Sequence, residues 1–294
     1  MNVKRLALTA TAAMAAVAVS ACTGTVSGEA TSASNVPSSS STAVVAQPVW
    51  APLPAAPVPS DEADVRGFRY GKVSTGYGVF EVGDSTRLEA GCTLGPVVAP
   101  TMDHTARGWV IAGHCDRAEL TRVAAFSDPV HTSRVDVGVY TPQSGVRRVD
   151  ATTLYPSRSA SADNAPRVAG YPVAGVLTNA ATEQLPEGTP VCVAAAKSGL
   201  QCGTYIDTIR GGIILDRLRT VPGDSGSPLF TYDANSDSVT LIGILTRSAE
   251  DAANSYGAVL DTALEDNGAL AVVDAASAVD PAANPAYSSR VVRG

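Results

Sequence analysis

The sequence of 294 residues is poor in aromatic side chains and contains no block of basic residues. Phe, Trp and Tyr together make up 5% of the chain, so the core has to be built mainly from Val, Leu, Ile and Ala. The formal net charge is -7. Without a basic cluster to contact phosphates, we do not expect nucleic acid as a partner.

A long apolar run is also lacking. The mostly apolar residues 6–19 are too few for a membrane-spanning helix, and after Lys4 and Arg5 they indicate a signal peptide covering residues 1–21. The following Ser20-Ala21-Cys22 resembles the lipobox of bacterial lipoproteins, which implies cleavage before Cys22 and lipid attachment to its thiol. The alternative is an ordinary export signal that contains a cysteine by chance. Either way we expect an exported protein, lipid-anchored on the outer face of the cell membrane or secreted.

The cysteine count fits export. Setting Cys22 aside leaves an even set, Cys92, Cys115, Cys192 and Cys202. In an exported protein this set suggests two disulfides, for which three connectivities are possible. With local pairing of Cys92 with Cys115 and of Cys192 with Cys202, each disulfide would raise the free energy of unfolding by about 3 kcal/mol.

Composition divides the mature chain into three parts. Residues 22–60 are rich in Ser, Ala and Pro and have almost no charge, which is typical of a flexible tether. Residues 61–280 carry short apolar runs rich in β-branched residues between turn formers, the pattern of an all-β domain. Helix is suggested only near the end of this domain, where Gly268 interrupts it. Residues 281–294 are interpreted as a disordered tail.

Ser225, in the stretch VPGDSGSPLF, is either part of a polar turn or a nucleophile. All three histidines, His104, His114 and His131, precede it, which excludes the Ser-Asp-His order of α/β-hydrolases. The orders His-Asp-Ser and Asp-His-Ser remain open. The absence of βαβ alternation argues against the second.

His114 and Asp136 are the other candidate catalytic residues. His114 follows the apolar run WVIA and Gly113, so it emerges where a buried strand ends. Asp136 lies among valines in RVDVGVY, where an unpaired carboxylate would be costly to bury. A histidine N–H would be a suitable partner for it. Taken singly, each residue could equally be a polar residue at a strand end.

Together, WVIAGHC, VDVGVY and PGDSGSPLF resemble the catalytic motifs of chymotrypsin-fold serine proteases, in particular the bacterial streptogrisin and α-lytic-protease branch. The segments around both cysteine pairs resemble that branch as well. The resemblance covers residues 91–260. It implies two six-stranded antiparallel β-barrels with a short C-terminal helix.

The resemblance also implies residue roles. Ser225 would attack the scissile carbonyl, His114 would act as general base and then acid, and Asp136 would orient His114. The backbone amides of Gly223 and Ser225 would form the oxyanion hole.

Substrate contacts are implied at Thr246 and Ser248, beside an extended peptide, and at Arg219, at the base of the primary specificity pocket. A basic pocket would favour acidic side chains before the scissile bond. Alternatively, Arg219 and neighbouring arginines face solvent or pair with Asp216 and Asp224.

Two features depart from the family pattern. Ser227 replaces a glycine common after Ser-Gly, which we expect to be tolerated because the hydroxyl is small. No Ile-Val-Gly-Gly activation sequence is present, so no new α-amino group is available to pair with Asp224. An arginine could satisfy that carboxylate instead.

The leading hypothesis is an exported serine endopeptidase that cleaves polypeptides without a cofactor and acts as a monomer. The alternative is a catalytically silent protease fold that binds extended peptides at the cell surface. A cysteine hydrolase using Cys115 is disfavoured because the cysteine spacing suits a disulfide. No metal site is expected, since the histidines and cysteines lack ligand-pair spacing.

Overall fold

Two β-barrels built from short strands make up most of the folded chain. The computed structural model describes residues 48–54, 73–82, 88–116, 123–126, 134–140, 148–156, 163–248 and 254–294. The expected signal peptide, Cys22, most of the tether and His131 lie outside the described residues.

The first barrel contains seven strand segments, all paired antiparallel in the order β4-β5-β8-β7-β6-β2-β3. Only residues 94–96 separate β3 from β4, so these two segments are the arms of one bent strand and the barrel is six-stranded. The segments are β2 (Gly78–Val82), β3 (Leu88–Thr93), β4 (Val97–Pro100), β5 (Gly108–Ala112), β6 (Val123–Phe126), β7 (Arg134–Tyr140) and β8 (Ala151–Pro156).

The second barrel is a ring of six antiparallel strands, closed by the pairing of β14 with β15, in the order β14-β11-β12-β13-β16-β15. Its strands are β11 (Pro190–Ala195), β12 (Gly199–Ile209), β13 (Gly212–Asp216), β14 (Pro228–Asp233), β15 (Ser238–Ser248) and β16 (Asn254–Val259). The predicted all-β class with two six-stranded barrels is therefore confirmed.

Short elements surround the barrels: β1 (Trp50–Ala51), β9 (Arg167–Val168), β10 (Tyr171–Val176), α1 (Asn179–Glu183), α2 (Leu260–Asp266), β17 (Ala269–Val273) and β18 (Val291–Arg293). α2 is the expected short helix near the C-terminus. β10 pairs parallel to β15 and β17 parallel to β18, so these added strands include parallel pairings, whereas both barrels are antiparallel as predicted. Neither helix in the described ranges is long and apolar enough to cross a membrane.

Residues 281–294 do not form the disordered tail that the sequence suggested. β18 pairs with β17, and Tyr287 is buried with its ring against Gly175, where any Cβ would collide with it. The Ser288 hydroxyl donates to Asp261 Oδ1 at 2.5 Å. The sequence predicts disorder here because the apolar residues of the segment are few and separated. A few buried side chains are nevertheless enough for the segment to pack against the folded barrel.

The hydrophobic core has a cluster inside each barrel and a third cluster between the barrels. The third cluster joins Val98 and Val110 of the first barrel to Leu241 and Ile244 of the second. All five residues of β5 are buried, which explains the apolar run WVIA in the sequence. β5 therefore holds the turn that follows it in a fixed position beside the second barrel.

Candidate active site

His114 lies in a 3-10 turn, Gly113–Cys115, at the end of β5. The turn is tied back to β3 by the disulfide between Cys115 and Cys92, with a Cα–Cα distance of 6.5 Å. The second disulfide joins Cys192 to Cys202 across β11 and β12, so the local pairing considered for the four cysteines is confirmed. His114 itself remains accessible, with 48% of its side chain exposed.

The carboxylate beside His114 belongs to Asp150. Its Oδ2 lies 2.6 Å from His114 Nδ1, and its Oδ1 accepts a hydrogen bond from the His114 backbone amide at 2.8 Å. A carboxylate on Nδ1 favours the tautomer with the proton there, which leaves Nε2 free to accept one. The pairing follows from the sheet, because Asp150 directly precedes β8 and Ala151 of β8 lies opposite Ala112 of β5.

Asp136, the acid that the sequence suggested, lies elsewhere on the barrel wall. It is paired with Ala124 in β7, and in the adjoining ladder Tyr140 lies opposite Leu154. Asp136 therefore lies beyond the C-terminal end of β8, whereas Asp150 lies just before its N-terminal end. This register places Asp136 and Asp150 about 26 Å apart along the strand direction. The structure does not bring Asp136 to His114. The sequence signal for Asp150 was of the same kind, an acid at the start of an apolar run, in VDATTLY.

Ser225 lies in the turn between β13 and β14 and is half-buried. Its hydroxyl donates to the Thr246 carbonyl at 3.4 Å. Thr246, His114 and Asp150 line the same cavity of about 460 Å³. Ser225 thus contacts a residue that lines the same cavity as His114, although its hydroxyl is hydrogen-bonded to the Thr246 carbonyl and not to the imidazole.

The backbone amides of Gly223 and Ser225 have no hydrogen-bond partner within the described part of the chain. Gly223 has a φ of 108°, a conformation that residues with a side chain rarely adopt. Two unpaired amides beside a serine hydroxyl are able to bind a negatively charged oxygen.

Asp224, between these two residues, is fully buried. Its Oδ1 accepts from the amides of Lys197 and Ser198 at 3.1 and 3.0 Å. Its Oδ2 accepts from the Ser198 hydroxyl at 2.6 Å and the Val221 amide at 2.8 Å. Four neutral donors thus satisfy the carboxylate, in place of the arginine considered from the sequence. Ser227 is also buried and donates to the Asp224 carbonyl, so its hydroxyl has a place in this turn.

The residues expected to contact substrate are only partly brought together. Thr246 lines the cavity, and Ser248 lies two residues further along β15, opposite Ser255 of β16. β14 pairs with β15 only as far as Ile244, so within the described ranges residues 246–248 have a strand neighbour on one side only. Such an edge is able to accept an extended peptide.

Arg219 is exposed and does not line this cavity. Its backbone amide donates to Gln201 Oε1. The arginine at the cavity is Arg247, whose guanidinium lies 4.8 Å from the ring centroid of Tyr256. Arg217 pairs with Asp216, as considered from the sequence.

Among the described residues, His114 belongs to one group of metal-ligating residue types. Potential ligand atoms of Cys92, Cys115 and His114 lie within 4.8 Å of one another. Because the two sulfurs are bonded to each other, neither is a thiolate that could bind a metal. This donor set does not fit a metal site.

No family model matches the chain, and no curated protein matches it. Solved structures do match. A serine protease described as specific for glutamic acid, with a histidine triad in substrate binding, is 16% identical with a TM-score of 0.48, covering 67% of this chain and 98% of its own. Thermobifida fusca Protease A is 19% identical with a TM-score of 0.47, covering 69% and 100%. Nocardiopsis protease is 15% identical with a TM-score of 0.44, covering 68% and 96%. Similarity at this level carries no conclusion about activity.

Proposed function

We propose that this protein is a serine endopeptidase in which Ser225, His114 and Asp150 form the catalytic triad. The observation that carries the proposal is the combination of three features in and beside one cavity. They are an imidazole held by a carboxylate at 2.6 Å, a serine hydroxyl bonded to the cavity-lining Thr246, and two amides on the serine turn that have no partner among the described residues. This combination suits acyl transfer.

In the proposed reaction, Ser225 Oγ bonds to the scissile carbonyl carbon as its proton passes to His114 Nε2. The carbonyl oxygen becomes an anion and is held by the amides of Gly223 and Ser225. The C–N bond then breaks, and the proton on Nε2 passes to the departing amine. Water, deprotonated by the same imidazole, hydrolyses the acyl-enzyme and restores the serine. Asp150 stabilises the imidazolium throughout.

The test is hydrolysis of an internally quenched peptide library by the purified protein and by Ser225→Ala. Removing a serine nucleophile lowers kcat by at least about 10⁴-fold, so the variant should be inactive against the same peptides. Ser236→Ala is a matched control, because this serine lies in the remote turn after β14. Equal hydrolysis by wild type and Ser225→Ala would contradict the proposal.

A peptide-binding module without catalysis is the second candidate. It is favoured by the hydrogen bond from Ser225 Oγ to the Thr246 carbonyl, because a serine engaged there is not hydrogen-bonded to its base. This candidate predicts that peptides bind along residues 246–248 and are recovered intact after prolonged incubation.

We further propose that the protein is exported and attached to the membrane through a lipid on Cys22, and that it works as a monomer. Metabolic labelling with an alkyne-tagged fatty acid in a bacterial host tests the attachment. Wild type should be labelled and found with membranes, and Cys22→Ala should not. An unlabelled wild type in the medium would indicate an ordinary export signal.

A further inference from the structure

Thr93, the last residue of β3, makes three hydrogen bonds to the second barrel, and two of them join it to the Ser225 turn. Its hydroxyl donates to the Gly223 carbonyl at 3.0 Å, and its backbone amide donates to the Ser225 carbonyl at 2.8 Å. The hydroxyl oxygen in turn accepts from the Ala196 amide at 3.1 Å. Thr93 is fully buried, so water does not compete for these bonds.

The approach of Thr93 to the turn is close. A Cβ on Gly226 would lie 2.2 Å from the Thr93 carbonyl oxygen, and Gly226 has a φ of 96°. Only glycine fits there without a shift of one backbone against the other. The turn is therefore shaped to lie against this one residue of β3.

The two carbonyls that Thr93 holds belong to the two residues whose amides are unpaired. The Ser225 amide lies between the two peptide groups whose carbonyls Thr93 holds, and the Gly223 amide adjoins the first of these groups, so the directions of both amides depend on these two bonds. Gly223 has no side chain to restrict rotation, so without the Thr93 hydroxyl its carbonyl would be held by no other hydrogen bond within the described residues.

We propose that Thr93 is a positioning residue that aims the amides of Gly223 and Ser225 at the anionic oxygen of the reaction. This inference rests on the proposed serine endopeptidase function. Thr93 touches neither substrate nor the reacting atoms. It acts through the turn, and its hydroxyl matters more in the transition state, where charge develops on the oxygen, than when substrate binds.

The experiment compares Thr93→Val, Thr93→Ser and Thr231→Val in kcat and KM for one peptide substrate. Valine keeps the shape and removes the hydroxyl, whereas serine keeps the hydroxyl. Thr231 is an equally buried threonine of the second barrel that bonds the Thr240 carbonyl, so Thr231→Val controls for the loss of a buried hydroxyl. Thermal melting of all variants is recorded alongside.

We expect Thr93→Val to lower kcat by about tenfold or more with little change in KM, since loss of a whole oxyanion donor costs about 10²–10³-fold. Affinity for a peptide aldehyde, which binds as a tetrahedral oxyanion, should fall in parallel with kcat. Thr93→Ser should stay within about threefold of wild type. Thr231→Val should lose stability but keep kcat.

A Thr93→Val variant that is less stable but has wild-type kcat and aldehyde affinity would overturn the inference. If this variant does not fold, Thr93→Ala replaces it, and kcat equal to that of Thr93→Ser would overturn the inference in the same way. Failure of the proposed function is distinguishable, because then wild type itself would hydrolyse no more peptide than Ser225→Ala.

Discussion

Arg148 binds Asp266 of α2 through two hydrogen bonds, one from its backbone amide at 2.8 Å and one from Nε at 2.6 Å. A third hydrogen bond joins its guanidinium to Glu265 at 2.7 Å. Arg148 stands two residues before Asp150, so these bonds fix the start of the segment that carries the acid partner of His114. The Asp266 side chain is 7% exposed, which protects the contact from water better than an ordinary surface ion pair.

Replacing Arg148 by alanine should therefore lower activity without touching the active site. A loosened Asp150 holds the imidazole less well, and misplacement by about 1 Å costs up to 10²-fold, so we expect a fall in kcat of about tenfold. Steady-state kinetics measure it. Arg217→Ala is the control, because Arg217 is 80% exposed and pairs with Asp216 away from this segment. An equal loss in both variants would contradict the role of Arg148.

The second prediction tests whether Asp150 or Asp136 is the acid that orients His114. Asp150→Asn should lower kcat by about 10⁴-fold, since an amide stabilises the wrong imidazole tautomer. Asp136→Asn removes the same charge at the far end of β8 and should leave kcat within about threefold of wild type. A large loss of kcat in Asp136→Asn with little loss in Asp150→Asn would contradict the role of Asp150 and favour Asp136.

Stability should depend on pH through Glu265. The hydrogen bond from Arg148 and the nearby charge of Arg290 hold the pKa of Glu265 below its usual value of 4.5. Between the lowered pKa and 4.5 the unfolded chain binds more protons than the folded one, so stability falls as pH falls through this window. Above it the contribution is fully present.

Thermal melting between about pH 6 and pH 3 measures this effect, because the usual glutamate pKa lies inside that range. Wild type should be more stable than Glu265→Gln at the upper end, and the two curves should converge as Glu265 becomes protonated. Glu187→Gln, at an exposed site, controls for the loss of one negative charge. A constant difference between wild type and Glu265→Gln down to the lowest pH would contradict the assignment.

Specificity should depend on Arg247 more than on Arg219. Arg247 lines the cavity with His114, and its guanidinium is held over Tyr256, whereas Arg219 lies outside the cavity. In a peptide library that compares Glu, Gln, Phe and Arg around the scissile bond, wild type should prefer an acidic side chain near this cavity. Arg247→Ala should reduce that preference by about two- to fivefold, the range of an exposed ion pair. Best cleavage after Arg would exclude an acidic preference.

The sequence predicted those features that depend on the local pattern of residues. The β-branched runs between turn formers predicted the all-β class. His114 and Ser225 each lie in a short motif at a strand end. Asp150 was missed because its place beside His114 depends on the pairing of β8 with β5, and strand register is a long-range property. Thr93 and Ser198 were missed for a similar reason, since Thr93 reaches the Ser225 turn from β3 and Ser198 reaches it from the turn between β11 and β12. The C-terminal strand was missed because three residues carry too little pattern.

In the proposed mechanism, Ser225 is a nucleophile activated by His114. The most direct measurement is labelling by a fluorophosphonate probe, followed by mass-spectrometric mapping of the modified peptide. We expect one label per molecule of wild type, located on Ser225, and none in Ser225→Ala or His114→Ala. A correctly folded wild type that stays unlabelled, or a label on another residue, would contradict this mechanism.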